Sequence, residues 1–299
     1  MKRSLFFLAV AFAAVVSCKN DDGPAAPEVQ IATNANLGQL LTDSKGMTLY
    51  VFSEDIDGTS HCTAAGSCIT IWPIFYSENI TVSDGLTTSD FATITRTDGQ
   101  KQTTYKGYPL YYFAGDTKVG DINGDGNAAT AFEWYAAKPG GYTVVYARGQ
   151  LVGHDGVSYK QVATTSGSTA GVDIVPGTAL TFFLADHAGR TVYIWKNDRN
   201  GVSNFDAANA NSTVFTPFDA DPSTLVLPSI LSKDDFKETT GTTKHLTYKG
   251  WPLYYFGGTA TVAGDTHAGE TRGVSFPPGQ NPATLWPVAN AETITAPNP

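Results

Sequence analysis

The sequence predicts an all-β protein made of two tandem homologous antiparallel units, each a sandwich or small barrel built from repeated hairpins. Three observations carry this. A short phrase of strand-forming residues occurs four times: Gly46-Met47-Thr48-Leu49-Tyr50-Val51-Phe52, Gly107-Tyr108-Pro109-Leu110-Tyr111-Tyr112-Phe113, Gly189-Arg190-Thr191-Val192-Tyr193-Ile194-Trp195 and Gly250-Trp251-Pro252-Leu253-Tyr254-Tyr255-Phe256. The spacing is regular twice over, with 61 residues between the glycines of each pair and 143 between the pairs. Self-similarity at a fixed long period marks a duplicated supersecondary unit. The composition agrees: 16% charged residues is low against about 25% for soluble domains, and Gly 30, Tyr 14 and Phe 16 favour strands and turns.

Within the phrase, Leu49, Tyr50, Val51 and Phe52 are the bulky types that fit a pleated, half-buried surface. The leading Gly supplies a positive φ that other residues reach only with strain. Leu41-Thr42-Asp43-Ser44-Lys45 and Leu184-Ala185-Asp186-His187-Ala188 each run into such a Gly, which reads as a hairpin. Tyr105-Lys106-Gly107 and Tyr248-Lys249-Gly250 are tighter versions, with Pro109 and Pro252 opening the next strand, where a missing N–H does least harm.

Taken in order, residues 1–17 read as a secretory signal, with Lys2 and Arg3 ahead of an apolar stretch, Leu5 to Val16, too short to span a membrane. Val15-Val16-Ser17-Cys18 matches a bacterial lipobox and implies cleavage before Cys18 and diacylglycerol on its sulfur; the plainer reading is an ordinary signal with an incidental Cys. Residues 18–28 are a polar, then Pro- and Ala-rich tether. Its acidic pair, Asp21-Asp22, suits either a surface-export signal or a tether facing the periplasm. Unit one covers 29–140, a connecting hairpin and loop 141–173, unit two 174–290 and a C-terminal tail 291–299. The sequence pairs Asp234-Asp235-Phe236 with Ser89-Asp90-Phe91, and Val214-Phe215-Thr216-Pro217-Phe218 with the segment around Trp72, with Thr216 in place of Trp72. In an exported chain Cys62 and Cys68 form a disulfide closing a small loop, with no counterpart in unit two. The net charge of −9 argues against nucleic acid as a partner.

Asp43-x-x-Gly46-x-Thr48-Leu49-Tyr50, Cys62, Cys68, Trp72-Pro73 and Tyr105-x-Gly107-x-Pro109-Leu110-Tyr111-Tyr112-Phe113 together resemble the secreted-repeat lipoprotein family, described by a Tyr-x-aromatic-x-x-Asp motif. That motif stands here as Tyr50-Val51-Phe52-Ser53-Glu54-Asp55 and Tyr193-Ile194-Trp195-Lys196-Asn197-Asp198. The resemblance implies an extracytoplasmic bacterial lipoprotein and transfers no activity.

The sharpest local motif is Asp121-Ile122-Asn123-Gly124-Asp125-Gly126. Oxygen-bearing side chains at alternate positions before a Gly suit a Ca²⁺ loop with Asp121, Asn123 and Asp125 as ligands, although position 12 is Phe132 and Glu133 comes one residue late. The bland alternative is a Gly/Asp turn, which Gly264-Asp265 in unit two supports. Asp55 and Asp198 read as turn formers. The five His are scattered, and the chain has neither a Gly-x-Ser-x-Gly elbow nor a phosphate loop, so nothing pairs a nucleophile with a base. Tyr108 and Trp251, at turn edges, are candidates for stacking on a sugar or a protein partner, or else for filling the core. The sequence therefore reads as a non-enzymatic lipoprotein of the outer membrane, facing the periplasm or the cell surface. It is anchored in lipid through Cys18 and presents a repeated β surface to an envelope protein or glycan. The alternative is a redox or Ca²⁺-handling lipoprotein.

Overall fold

Each unit is built on pairing between its two copies of the phrase. The structure, a computed structural model, describes residues 26–63, 67–127, 134–164, 168–209, 212–279 and 285–299. Cys18, the signal segment and Glu133 lie outside these. Unit one contains β1 (Val29–Asn34), β2 (Gly38–Asp43), β3 (Tyr50–Phe52), a short helix α1 (Cys68–Ile71), β4 (Phe91–Thr95), β5 (Lys101–Tyr105), β6 (Tyr108–Pro109) and β7 (Trp134–Ala136). β1 folds back on β2, and β2 turns at Gly46 toward β3. Asp43 fixes that turn, its Oδ1 accepting from the amides of Lys45 at 2.9 Å and Met47 at 2.8 Å. β3 pairs with β7 on one side. On the other side Tyr50 and Tyr111 exchange backbone hydrogen bonds of 2.8 and 3.0 Å, so the first phrase lies against the second. β4, β5 and β6 form an antiparallel sheet, in which β5 meets β6 across Lys106 (φ 49°) and Gly107 (φ 88°). Two successive positive φ angles make the twist of this turn match that of the strands.

Unit two repeats this plan. It contains β8 (Val144–Gly149), β9 (Leu151–Val152), β10 (Ser158–Ala163), β11 (Val172–Pro176), β12 (Thr181–Asp186), α2 (Asn204–Ala208), β13 (Phe215–Pro217), β14 (Phe236–Glu238), β15 (Leu246–Tyr248), β16 (Trp251–Pro252) and β17 (Tyr254–Phe256). Tyr193 and Tyr254 exchange backbone bonds of 2.8 and 3.0 Å, as Tyr50 and Tyr111 do. The turn between β15 and β16 again has positive φ at Lys249 and Gly250.

Three details differ from the sequence reading. The segment expected as a separate hairpin within 141–173 is divided. The turn at His154-Asp155-Gly156 does join β9 to β10, but β8 pairs with β12 from Val144↔Asp186 to Gly149↔Thr181. Val144 thus sits opposite Asp186 as Val29 sits opposite Asp43, so β8 is the first strand of unit two and β9–β11 are an insertion behind it. β8 is buried from Val144 to Ala147, on both faces, which an exposed connecting hairpin would not satisfy. Second, the counterpart of Trp72 is Phe215, not Thr216. Trp72 stacks on Trp134 at 3.8 Å and Phe215 on Trp286 at 3.4 Å, the rings within 3° and 5° of parallel. A one-residue slip along a strand swaps its faces, and only the Phe215 register keeps the aromatic inside. Third, the tail is a strap: Trp251 Nε1 donates to Ile294 O at 2.8 Å, Ala296 N to Lys249 O at 2.9 Å and Asn200 N to Pro297 O at 2.8 Å.

The disulfide joins Cys62 and Cys68 with Cα atoms 5.3 Å apart, and Cys62 is buried beside Trp72 and Trp134. Phe205, 143 residues beyond Cys62, packs edge-on against Trp286 at 5.0 Å. An apolar ring therefore takes the disulfide's place in unit two. The largest core is shared between the units: Ile56 and Tyr135 of unit one belong to the same cluster as Phe183, Tyr193 and Trp251.

Because unit two places Phe where unit one has Trp72, Trp72→Phe should be tolerated, losing less than about 1.5 kcal/mol. Trp72→Ala should cost about 3–5 kcal/mol. Urea melts of the two variants check this, and equal losses would mean that the stack contributes little.

Candidate functional site

The tyrosines of the phrase point inward to aspartates. Tyr50 OH donates to Asp116 Oδ2 at 2.6 Å, Tyr111 OH to Asp55 Oδ2 at 2.6 Å and Tyr112 OH to Asp43 Oδ2 at 3.1 Å. Unit two matches bond for bond, with Tyr193 to Asp265 at 2.5 Å, Tyr254 to Asp198 at 2.7 Å and Tyr255 to Asp186 at 2.9 Å. Each carboxylate's other oxygen holds backbone amides: Asp55 Oδ1 takes His61 N at 2.7 Å, and Asp198 Oδ1 takes Asn204 N at 2.7 Å. Asp55 and Asp198 are thus turn formers, as expected, and they also anchor a tyrosine from the neighbouring strand. Burial pushes the Asp55 carboxyl up to about 7, against the opposing hydrogen bonds from Tyr111 and His61. Burial likewise raises Asp265 to about 7 and Asp198 to about 6. The partner tyrosines are all raised, first by burial and then by their aspartates.

In the loop read as a calcium site, one oxygen of each aspartate is engaged by backbone amides. Asp121 Oδ2 is occupied by Thr117 N at 2.9 Å and Lys118 N at 3.1 Å, while Asp125 Oδ1 turns away to Ala136 N at 2.8 Å. The amide of Asn123 bonds Asp116 Oδ1 at 2.9 Å. The equivalent turn in unit two is built from Asp265 and Glu270, whose Oε2 takes Thr266 N at 2.6 Å and His267 N at 3.0 Å. Thr48 and Thr191 hydroxyls donate to the carbonyls of Asp121 and Glu270 at 2.7 and 2.6 Å, which fixes the correspondence. The turn is present in both units, whereas the alternation of Asp121, Asn123 and Asp125 is confined to unit one. Among the described residues no three His, Cys, Asp or Glu side chains are grouped to hold a metal ion.

The aromatic candidates are also turned inward. Trp251 is fully buried. Tyr108 packs against the shared core and lines a cavity of about 30 Å³ with Val51, Tyr135, Tyr146 and His187. Both serve the core, because at this turn the pleat aims their side chains toward the other elements.

A cleft of about 550 Å³ lies where the two units meet. Its apolar wall is Ile56, Phe183 and the exposed side chains of Val152 and Leu180. Three acid–base pairs surround that wall: Glu54–Arg148, Asp57–His61 at 3.2 Å and Glu270–Arg272 at 2.8 Å. Asp57 raises the His61 pKa mainly through their hydrogen bond. Glu270, which burial alone would raise, is pulled down to about 2 by Arg272 and the amides of Thr266 and His267. His154 lines the far side, with Nε2 donating to Ser275 O at 3.1 Å. The sequence reading missed this cleft, because its residues come from stretches about 200 apart in the chain and no local motif joins them.

Residues 32–75 and 92–138 match a family model described as a secreted repeat of unknown function. Both stretches are thus similar to that repeat. Each matched stretch holds one copy of the phrase near its centre, and the two stretches pair through Tyr50 and Tyr111. No curated protein and no solved structure is significantly similar to the chain. Among the described residues no helix is long and apolar enough to cross a membrane.

The raised carboxyls give a signed pH dependence. Asp55 titrates near ~3.9 when unfolded and at about 7 when folded. The folded state therefore holds the extra proton between those values. This contribution to stability is full below pH ~4 and is lost as pH rises through 7. Asp55→Asn removes the titration. Relative to wild type, the melting temperature of the variant should rise between pH 4 and 7 and then level off; a constant offset across that window would remove the assignment.

Proposed function

We propose that the protein is a non-catalytic component of the cell envelope, held at the outer membrane by lipid on Cys18, and that the cleft between its units binds a protein or glycan partner. One observation carries the reading. The six aspartates that hold the phrase tyrosines are committed to those hydroxyls and to backbone amides, whereas the inter-unit cleft leaves charges of both signs at solvent beside an apolar wall. Such a mixed surface suits recognition: apolar contact supplies affinity and the charged rim supplies orientation. The lipobox and the tether behind it support the anchor.

Two experiments test the two halves. A photo-reactive residue at Leu180, in the cleft, should give a discrete cross-linked product in intact cells. The same residue at Val119, which is 68% exposed and lies outside the cleft, should not. Equal labelling from both positions would refute the cleft as the binding surface. For the anchor, Cys18→Ser should abolish incorporation of a palmitate analogue; unchanged labelling would exclude Cys18 as the lipid site.

A further inference from the structure

Away from the cleft, unit one differs from unit two in its oxidisable side chains, and these share a core of their own. Phe52, Trp134, Trp72 and Phe113 form one column of rings, with successive centroids 4.2, 3.8 and 4.5 Å apart. The two indoles are parallel within 3°, close enough for their faces to share a positive charge. A phenyl ring covers each outer face of the pair, and a ring face attracts a cation. The column therefore steadies an electron hole on the indoles. Tyr111 meets Trp134 edge-on at 5.0 Å, Tyr50 meets Trp72 at 5.5 Å, and these four side chains are buried. The cysteines of this core are joined as Cys62–Cys68, so no thiol there competes with the rings for oxidation. Unit two has Phe215 in place of Trp72 and Phe205 in place of Cys62. Its Trp286 stacks on Phe215 at 3.4 Å, and Trp195 is 6.1 Å from Trp286. The exchanges keep apolar bulk and remove the second stacked indole.

Tyr111 also has a place to put a proton. A phenol that loses an electron becomes a strong acid, so its proton must leave as well. The Tyr111 hydroxyl already donates to Asp55 Oδ2 at 2.6 Å. Burial raises this carboxyl to about 7, which makes Asp55 a better base than an ordinary carboxylate. Other charged groups near the pair are His61 and Asp57 on the same turn, and Arg96, which donates to Ser60 Oγ beside the Tyr111 hydroxyl. The low dielectric of the core favours the transfer. A hole on the indoles with ionised Asp55 amounts to two buried charges, whereas a tyrosyl radical with protonated Asp55 amounts to none.

We propose that unit one carries a one-electron relay. A free-radical oxidant outside the core takes an electron from the stacked Trp72–Trp134 pair, Tyr111 refills the pair with an electron of its own, and the Tyr111 proton moves to Asp55. In sum the oxidant gains one electron, and the core gains a neutral tyrosyl radical and a neutral aspartic acid. The oxidising equivalent ends on a buried ring, away from other molecules.

The test is pulse radiolysis of the purified protein with the azidyl radical, which oxidises indole ahead of neutral phenol. At about pH 8, above the Asp55 value, Asp55 is ionised and ready to accept. The indolyl absorption should then decay as the phenoxyl absorption rises, at a rate independent of protein concentration. Tyr111→Phe should remove most of that rise. Asp55→Asn should slow it about a hundred-fold, the low end of what a positioned base contributes. Tyr254→Phe removes the tyrosine that meets Trp286 at 5.4 Å in unit two, and should leave most of the rise in place. Trp72→Phe copies an exchange that unit two already makes and should reduce the transfer with the fold intact. An unchanged rise in Tyr111→Phe, or an equal loss in Tyr254→Phe, would overturn the proposal. If Tyr111→Phe does not fold, Trp72→Phe decides, and undiminished transfer in that variant would overturn it as well.

Discussion

The structure depends on the crossing of tyrosine and aspartate between paired phrases. The repeated motif places Tyr50 five residues ahead of Asp55, yet the two do not bond each other. Asp55 takes the hydroxyl of Tyr111 from the neighbouring strand, and Tyr50 reaches forward to Asp116. Every hydroxyl is thus spent on joining segments distant in the chain. A buried carboxylate without donors would cost several kcal/mol. Here each carries a tyrosine and at least one backbone amide, so the same group closes a turn and fixes a strand register. The motif is conserved within this chain, from unit one to unit two, because neither half of the arrangement is satisfied alone.

Duplication has not produced two independent bodies. Ile56 and Tyr135 of the first unit lie in the core of the second, and Arg148 at the start of unit two bonds Glu54 while its amide donates to Ser53 O at 3.0 Å. With the shared framework held constant, divergence is concentrated at its margins. The disulfide is replaced by the ring of Phe205, Trp72 by Phe215 and Asp121 by Glu270. Each exchange keeps the contact and changes the group that makes it.

Much of this was legible in the sequence. The four phrases, the tight turns at Lys106-Gly107 and Lys249-Gly250, and the Cys62–Cys68 link follow from residue type and spacing. What escaped was non-local. The partner of β8 is a strand about 40 residues away, whereas proximity in sequence favoured its neighbour. Asp121, Asn123 and Asp125 have the spacing of a cation loop, but spacing cannot tell whether backbone amides already occupy the oxygens. Tyr108 and Trp251 sit at turn edges whose residues alone left exposure and core filling open; the opposite unit and the C-terminal strap cover them. The cleft was invisible because it exists only where two distant stretches meet.

The strap has a bearing on how the protein is made. Residues 286–297 supply the Trp286 ring under Phe215, the Val288 bridge to Tyr193 and the cover over Trp251. Unit two therefore cannot close while these residues are still being synthesised. Unit one has its own β7 much earlier and can form first. The second half therefore closes through the longer-range contacts of the two, and losing residues 286–297 would open it while leaving the pairing of β3 with β7 in place.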